Sequence, residues 1–208
     1  MQKAIYLAKR KPSFTRDQFV LRWRKHGALA MSTSLWANTV GYVQAEAVQS
    51  MPFPGASDDY DGVAYIFQKE HVRTQQQIAD SKMMETDEYE TFAGLVLPVI
   101  LIVEEKVLKK GVPGGVTAFL YFIDPARAAP IAEHYSASAA DRVILNVRRD
   151  ELTKGDLSSQ IPYKAVVEVS GYTLDTLKSV LESGDAAPWR TADLPVITRE
   201  CVMWDRVS

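Results

Sequence analysis

Three short segments of this sequence recur in the same order in each half of the chain. YDGVAYIF, Tyr60 to Phe67, is answered by YKAVVEVS, Tyr163 to Ser170. LPVILIVEE, Leu97 to Glu105, is answered by LPVITREC, Leu194 to Cys201, and the opening KAIYLA has a partner in VTAFLYF. Order and spacing, more than the matches themselves, point to a duplicated unit. KKGVPGG, Lys109 to Gly115, separates the halves with a proline and clustered glycines suited to a linker or tight reversal. The 208 residues therefore divide into a unit over 1–110, a linker at 111–115 and a divergent second unit over 116–208.

Each unit reads as β-α-β-β-α-β. KAIYLAKR is a strand, and FTRDQFVLRWRKHG then opens a helix. Thr15 is its N-cap, Gln18 completes a capping box, and Phe14 and Phe19 occupy the two positions of a hydrophobic staple. GYVQAEAV and YDGVAYIF are strands, SKMMETDEYETFAGL is a helix with Met84, Tyr89 and Phe92 near helical spacing, and VILIVEEKVL closes the unit with Pro98 just before it. In the second half VTAFLYFI is a strand, and Asp124 and Pro125 pair as N-cap and N1. RVILNV and KAVVEV are strands, TLDTLKSVLES is a helix with Leu174, Leu177 and Leu181 on one face, and VITRECVMWDRV ends the chain as a strand. Such a unit covers one sheet face with helices and leaves the other bare. The fold expected is α+β: two tandem ferredoxin-like βαββαβ units whose antiparallel sheets pair, within one chain, into an α/β barrel with a cavity between them. Because one chain closes its own barrel, the protein is expected as a monomer or as a homo-oligomer built on that barrel.

Composition removes several classes of function. A net charge of −2 leaves no electrostatic footprint for nucleic acid or an anionic membrane. The N-terminus lacks a signal-peptide pattern, and GLVLPVILIV is about half of the ~20 residues that span a bilayer. With Cys201 as its one cysteine, the chain has no intrachain disulfide and suits a reducing compartment. These features predict a cytoplasmic protein with neither nucleic acid nor membrane as partner. There is no P-loop, dinucleotide fingerprint, zinc pattern or nucleophile elbow. The three histidines, His26, His71 and His134, make no metal-ligand motif, and PFPGASDDYDG reads as turn chemistry, so no metal site is expected. No bound cofactor is expected either, although a haem held by one axial histidine leaves no spacing signature and stays open at this level.

On the first helix Phe19, Trp23, His26 and Ala30 share one face. His26 there is either a core-edge imidazole bonded to a carbonyl or a general acid or base. The run of Phe19, Trp23 and His26, then Gly41-Tyr42, then Tyr60-Asp61-Gly62-Val63-Ala64, then Asp87 or Glu88 with Phe92, resembles the EthD family over roughly Lys3 to Leu108. That family belongs to the dimeric α/β-barrel superfamily, in which two ferredoxin-like units pair around a pocket. The superfamily holds cofactor-free monooxygenases, isomerases, dehydratases, cyclases and some haem enzymes. The resemblance implies that His26 faces the pocket and that the ligand is a small, apolar or aromatic molecule. Family members often carry an acid after YDGVA, where this chain has Tyr65; the equivalent position of the second half is Glu168. Divided labour between His26 and Glu168 as catalytic residues is one expectation, and Glu168 as a solvated strand residue is the other. Trp23, Tyr42, Tyr65 and Trp204 are candidate substrate-binding residues or packing, Trp36 is a wall or core residue, and Asp87 or Glu88 is the acidic partner of His26 or a solvated helix acid. His134 is expected at the surface. The function expected is cofactor-independent acid–base chemistry (oxidation, dehydration or isomerisation) in small-molecule catabolism or tailoring. The alternative is a non-catalytic binding or stress-related protein.

Overall fold

A computed structural model describes residues 1–48, 53–69, 74–93, 100–149, 162–183 and 187–205. The strands are β1 (Gln2–Ala8), β2 (Thr39–Ala47), β3 (Gly62–Gln68), β4 (Ile100–Lys109), β5 (Val116–Phe122), β6 (Arg142–Arg148), β7 (Ala165–Gly171) and β8 (Leu194–Asp205). The helices are α1 (Arg16–Met31), α2 (Gln75–Thr91), α3 (Ala128–Ser136) and α4 (Leu174–Leu181). The α+β expectation holds. The strands close into one antiparallel barrel in the order β1-β3-β2-β8-β5-β7-β6-β4, with the helices outside. Pro98 and the start of LPVILIVEE, like residues 150–161 between β6 and β7, fall outside the described residues.

Closure depends on two long strands. β4 pairs with β1 through Ile100–Val103 and with β6 through Val103–Lys109. β8 pairs with β5 through Leu194–Arg199 and with β2 from Thr198 to Asp205. Each spends one half on its own unit and the other half on its neighbour, so no sheet edge remains exposed.

Strand parity sorts the side chains. Ile5, Leu7, Val43, Val63, Phe119 and Val196 fill the barrel interior. Tyr6, Ala8, Tyr42 and Ala64 point the other way, beneath α1 with Phe19, Trp23 and Phe92. A third core packs α3 and α4 on the second half around Leu120, Tyr135, Val167, Leu177 and Trp189.

Local chemistry fixes the helices. The Thr15–Gln18 capping box forms as read, and Thr74–Gln77 and Thr173–Thr176 make two more. Tyr89, expected on the apolar face of α2, is exposed; Met84 and Phe92 hold that face. Gly114, between β4 and β5, has φ +114, which a side chain disfavours, and its N–H donates to Glu200 Oε2 at 2.8 Å. Among the described residues no helix is long and apolar enough to cross a membrane.

Candidate functional site

One mouth of the barrel opens into a cavity of about 1040 Å³. Its wall mixes apolar side chains such as Val43, Phe67 and Ile144 with charges that strand parity drives inward. Lys3 continues the inward series of Ile5 and Leu7, Arg142 that of Ile144, Glu168 that of Val166, and Glu200 that of Val196 and Thr198.

These groups form one alternating chain of charge. Lys3 Nζ lies 2.6 Å from Glu105 Oε2 and 2.6 Å from Glu168 Oε1. Asn146 Nδ2 donates to the same Glu168 oxygen at 2.8 Å. Arg142 Nη2 stands 3.6 Å from Glu168 Oε2 and donates to Glu200 Oε1 at 2.5 Å. Tyr65 Oη donates to Glu200 Oε1 at 3.1 Å. Lys3 also sits over the Tyr65 ring, 4.8 Å from its centroid. Lys3 is 2 %, Arg142 4 % and Glu168 0 % exposed, so the chain of ions is nearly dry.

Burial pushes the Glu168 carboxyl up, but Lys3 and Arg142 outweigh it and hold it below its ordinary value. Burial also pulls the Arg142 guanidinium down, and Tyr65, Glu200 and Glu168 more than restore it. The Tyr65 hydroxyl is pushed well up, first by burial and then by Glu200. Glu168 is therefore an anion at neutral pH and Tyr65 a neutral donor. Glu168 Oε2 and Arg142 Nε, both buried, have no hydrogen-bond partner among the described residues. Buried ion pairs typically cost several kcal/mol of desolvation per ion and seldom stabilise more than an apolar replacement would. Retaining five charged groups here is better explained by a site than by stability.

His26 is placed elsewhere. The stripe Phe19, Trp23 and His26 packs on the outer sheet face, whereas the cavity lies inside the barrel, so His26 does not line it. The imidazole sits edge-on to Phe92, and its Nδ1 is 2.6 Å from Asp87 Oδ2. Arg22 Nη2 donates to Asp87 Oδ1 at 2.5 Å. Burial lowers the His26 pKa below its ordinary 6.5 despite the opposing pull of Asp87. Of the two acids considered, Asp87 is the one bonded to His26, while Glu88 raises the pKa of the Tyr6 and Tyr42 hydroxyls through its charge. Trp23 stacks on Phe19 and donates Nε1–H to Tyr6 Oη at 3.4 Å, away from the cavity. Tyr42 contributes to the cavity wall, but its hydroxyl meets Tyr6 Oη at 3.2 Å on the outer side. Tyr65, Glu168 and Trp204 line the cavity, and Trp204 also packs on Trp36. His134 is exposed and His71 lies outside the described residues.

Lys3, Glu105, Arg142, Asn146 and Glu200 escaped the reading of the sequence. The available signal was parity: each shares a strand face with apolar neighbours that point inward. Among the described residues the cavity lining holds no histidine or cysteine. Among the described residues no cluster of His, Cys, Asp or Glu is placed to hold a metal ion.

No family model and no curated protein matches the sequence. Among solved structures, a "putative monooxygenase" of Fusobacterium nucleatum aligns over 97% of this chain and 91% of its own, with 9% identity and a TM-score of 0.50. A protein of the same description from Lactobacillus acidophilus aligns over 97% and 92% with 9% identity and a TM-score of 0.42. A mutant chlorite dismutase from Candidatus Nitrospira defluvii aligns over 96% and 91% with 11% identity and a TM-score of 0.43. The first shares the barrel fold across the whole chain; the other two are too distant to bear on the argument.

Proposed function

We propose that this chain is an α/β-barrel enzyme of the EthD-like kind that works by acid–base chemistry on a small apolar or aromatic molecule in the barrel cavity. The observation that carries the reading is Glu168, a fully buried carboxylate bordering the cavity, held beside Lys3 and Arg142, with one oxygen lacking a hydrogen bond among the described residues. In that role Oε2 accepts a proton from the substrate. The Lys3 and Arg142 charges that keep Glu168 ionised would favour the substrate's anion equally, and Tyr65 would limit access to Glu200. A dry site strengthens each of these contacts. Isomerisation and dehydration follow from such proton removal alone; oxidation needs dioxygen as co-substrate to take the electrons of the enolate or phenolate, a course to which the fold shared with a monooxygenase-named protein lends support. Duplication of an ancestral half-barrel is part of the same proposal: each half contributes its strands in the same order, β4-β1-β3-β2 and β8-β5-β7-β6.

A second reading keeps proton transfer at His26, and the 2.6 Å contact with Asp87 favours it, because a carboxylate that orients Nδ1 leaves Nε2 for a substrate. One experiment separates the two. Wild type, Glu168→Gln and His26→Ala are incubated under air with a panel of phenols, naphthols and lactones, and turnover is followed by mass spectrometry. The cavity reading requires turnover to fall about 100-fold or more in Glu168→Gln and to persist in a folded His26→Ala. Loss in His26→Ala alone moves the chemistry to α1, and binding without turnover in wild type leaves a carrier.

A further inference from the structure

Among the described residues, two buried atoms without a hydrogen-bond partner, on side chains that border the cavity, differ in kind. Glu168 Oε2 can only accept a hydrogen bond, and Arg142 Nε can only donate one. Their side chains approach to 3.6 Å, are 0 % and 4 % exposed, and border the cavity, the two atoms lying just beneath its surface where a bound group displaces the side chains only slightly to meet them. From this pairing we infer that the ligand carries a neutral hydroxyl on an apolar body, donating to Glu168 Oε2 and accepting from Arg142 Nε. The inference names the ligand class of the proposed site and rests on the cavity being that site.

An ether, a carboxylate and an ammonium each leave one atom unsatisfied or meet a like charge. An ether oxygen accepts from Arg142 but gives Glu168 nothing. A carboxylate likewise only accepts, and it brings a second anion to the buried Glu168. An ammonium donates to Glu168 but faces Arg142 and Lys3. A hydroxyl answers both atoms at once without adding charge, while Val43, Phe67 and Ile144 receive the apolar body. A buried polar atom left unpaired by the wrong ligand costs its full desolvation, so discrimination here exceeds what a methyl group's bulk would give.

The probes are 2-naphthol, 2-methoxynaphthalene and 2-naphthoate, titrated against the full chain with naphthalene fluorescence as the readout. The expected result is 2-naphthol binding about 10- to 100-fold tighter than both analogues, the range for a charge-assisted hydrogen bond. In Glu168→Gln the naphthol advantage over the methyl ether should shrink to within about 3-fold, since the acceptor loses its charge. An ether or a naphthoate that binds as tightly as the naphthol overturns the inference, as does an unchanged ratio in a folded Glu168→Gln or no binding by any of the three. The ranking in wild type decides the matter by itself if the variant does not fold. Naphthol preference without turnover would reject the catalytic reading and keep this one; turnover on a lactone with no hydroxyl preference would do the reverse.

Discussion

At the scale of single residues, His26 and Glu168 divide what a titratable side chain can do when buried. His26 sits in an apolar layer where burial lowers its pKa from 6.5, so the unfolded chain binds the proton more readily than the folded one. Its neutral form is compatible with folding, and stability is full above the ordinary value of 6.5. As pH falls below that value towards the lowered folded pKa, stability is lost. His26→Ala should cost about 1–3 kcal/mol at neutral pH through the lost Asp87 bond and Phe92 contact. The variant should also be less sensitive to acid than wild type just below the imidazole's ordinary range. Urea titrations of both proteins across pH 5 to 7 measure this, and parallel acid losses in the two would exclude His26 as the origin. Because His26 does not line the cavity, naphthol affinity should be unchanged in this variant.

At the scale of elements, α1 illustrates what local sequence can and cannot specify. Thr15, Gln18, Phe14 and Phe19 announce the helix start, and the capping box forms at those positions. The stripe of Phe19, Trp23 and His26 was equally legible as a buried face, since the helical period needs no tertiary information. What a stripe does not say is which surface it covers. Here it covers the outer face of β1, β2 and β3, and a glycine marks the contact: a Cβ on Gly62 would lie 2.6 Å from the Trp23 ring and 2.5 Å from the Ala45 carbonyl oxygen. Gly62→Ala should therefore destabilise by about 1–3 kcal/mol or more through overpacking, with α1 displaced. A thermal melt unchanged from wild type would mean that Trp23 yields without cost. Asp61 beside it accepts from the Arg10 backbone N–H at 2.8 Å and from the Arg10 side chain, so the Tyr-Asp-Gly run is a packing and turn device at its first level.

At the scale of the whole molecule, the ordered echoes between the halves were enough to read two βαββαβ halves closing one barrel, while the strands that join the halves were not legible. β4 and β8, the longest strands, are where that information resided, since each continues past its own unit to pair with the other. The candidate site has the same character. Glu168 was found by its place in the echo, but its partners Lys3, Glu105, Arg142 and Glu200 come from four other strands that meet only when the barrel closes. Long-range charge pairing leaves no periodicity to detect; only the inward parity of each residue could have hinted at it. A site assembled this way depends on both halves, so the ligand is proposed to sit in the cavity and not beneath either helical layer.

The most direct test of that claim is a crystal structure of the protein soaked with 2-naphthol. The ring is expected inside the barrel against Val43 and Ile144, with its hydroxyl between Glu168 and Arg142. A naphthol bound instead beneath α1, beside His26 and Asp87, with the barrel cavity holding none, would contradict it.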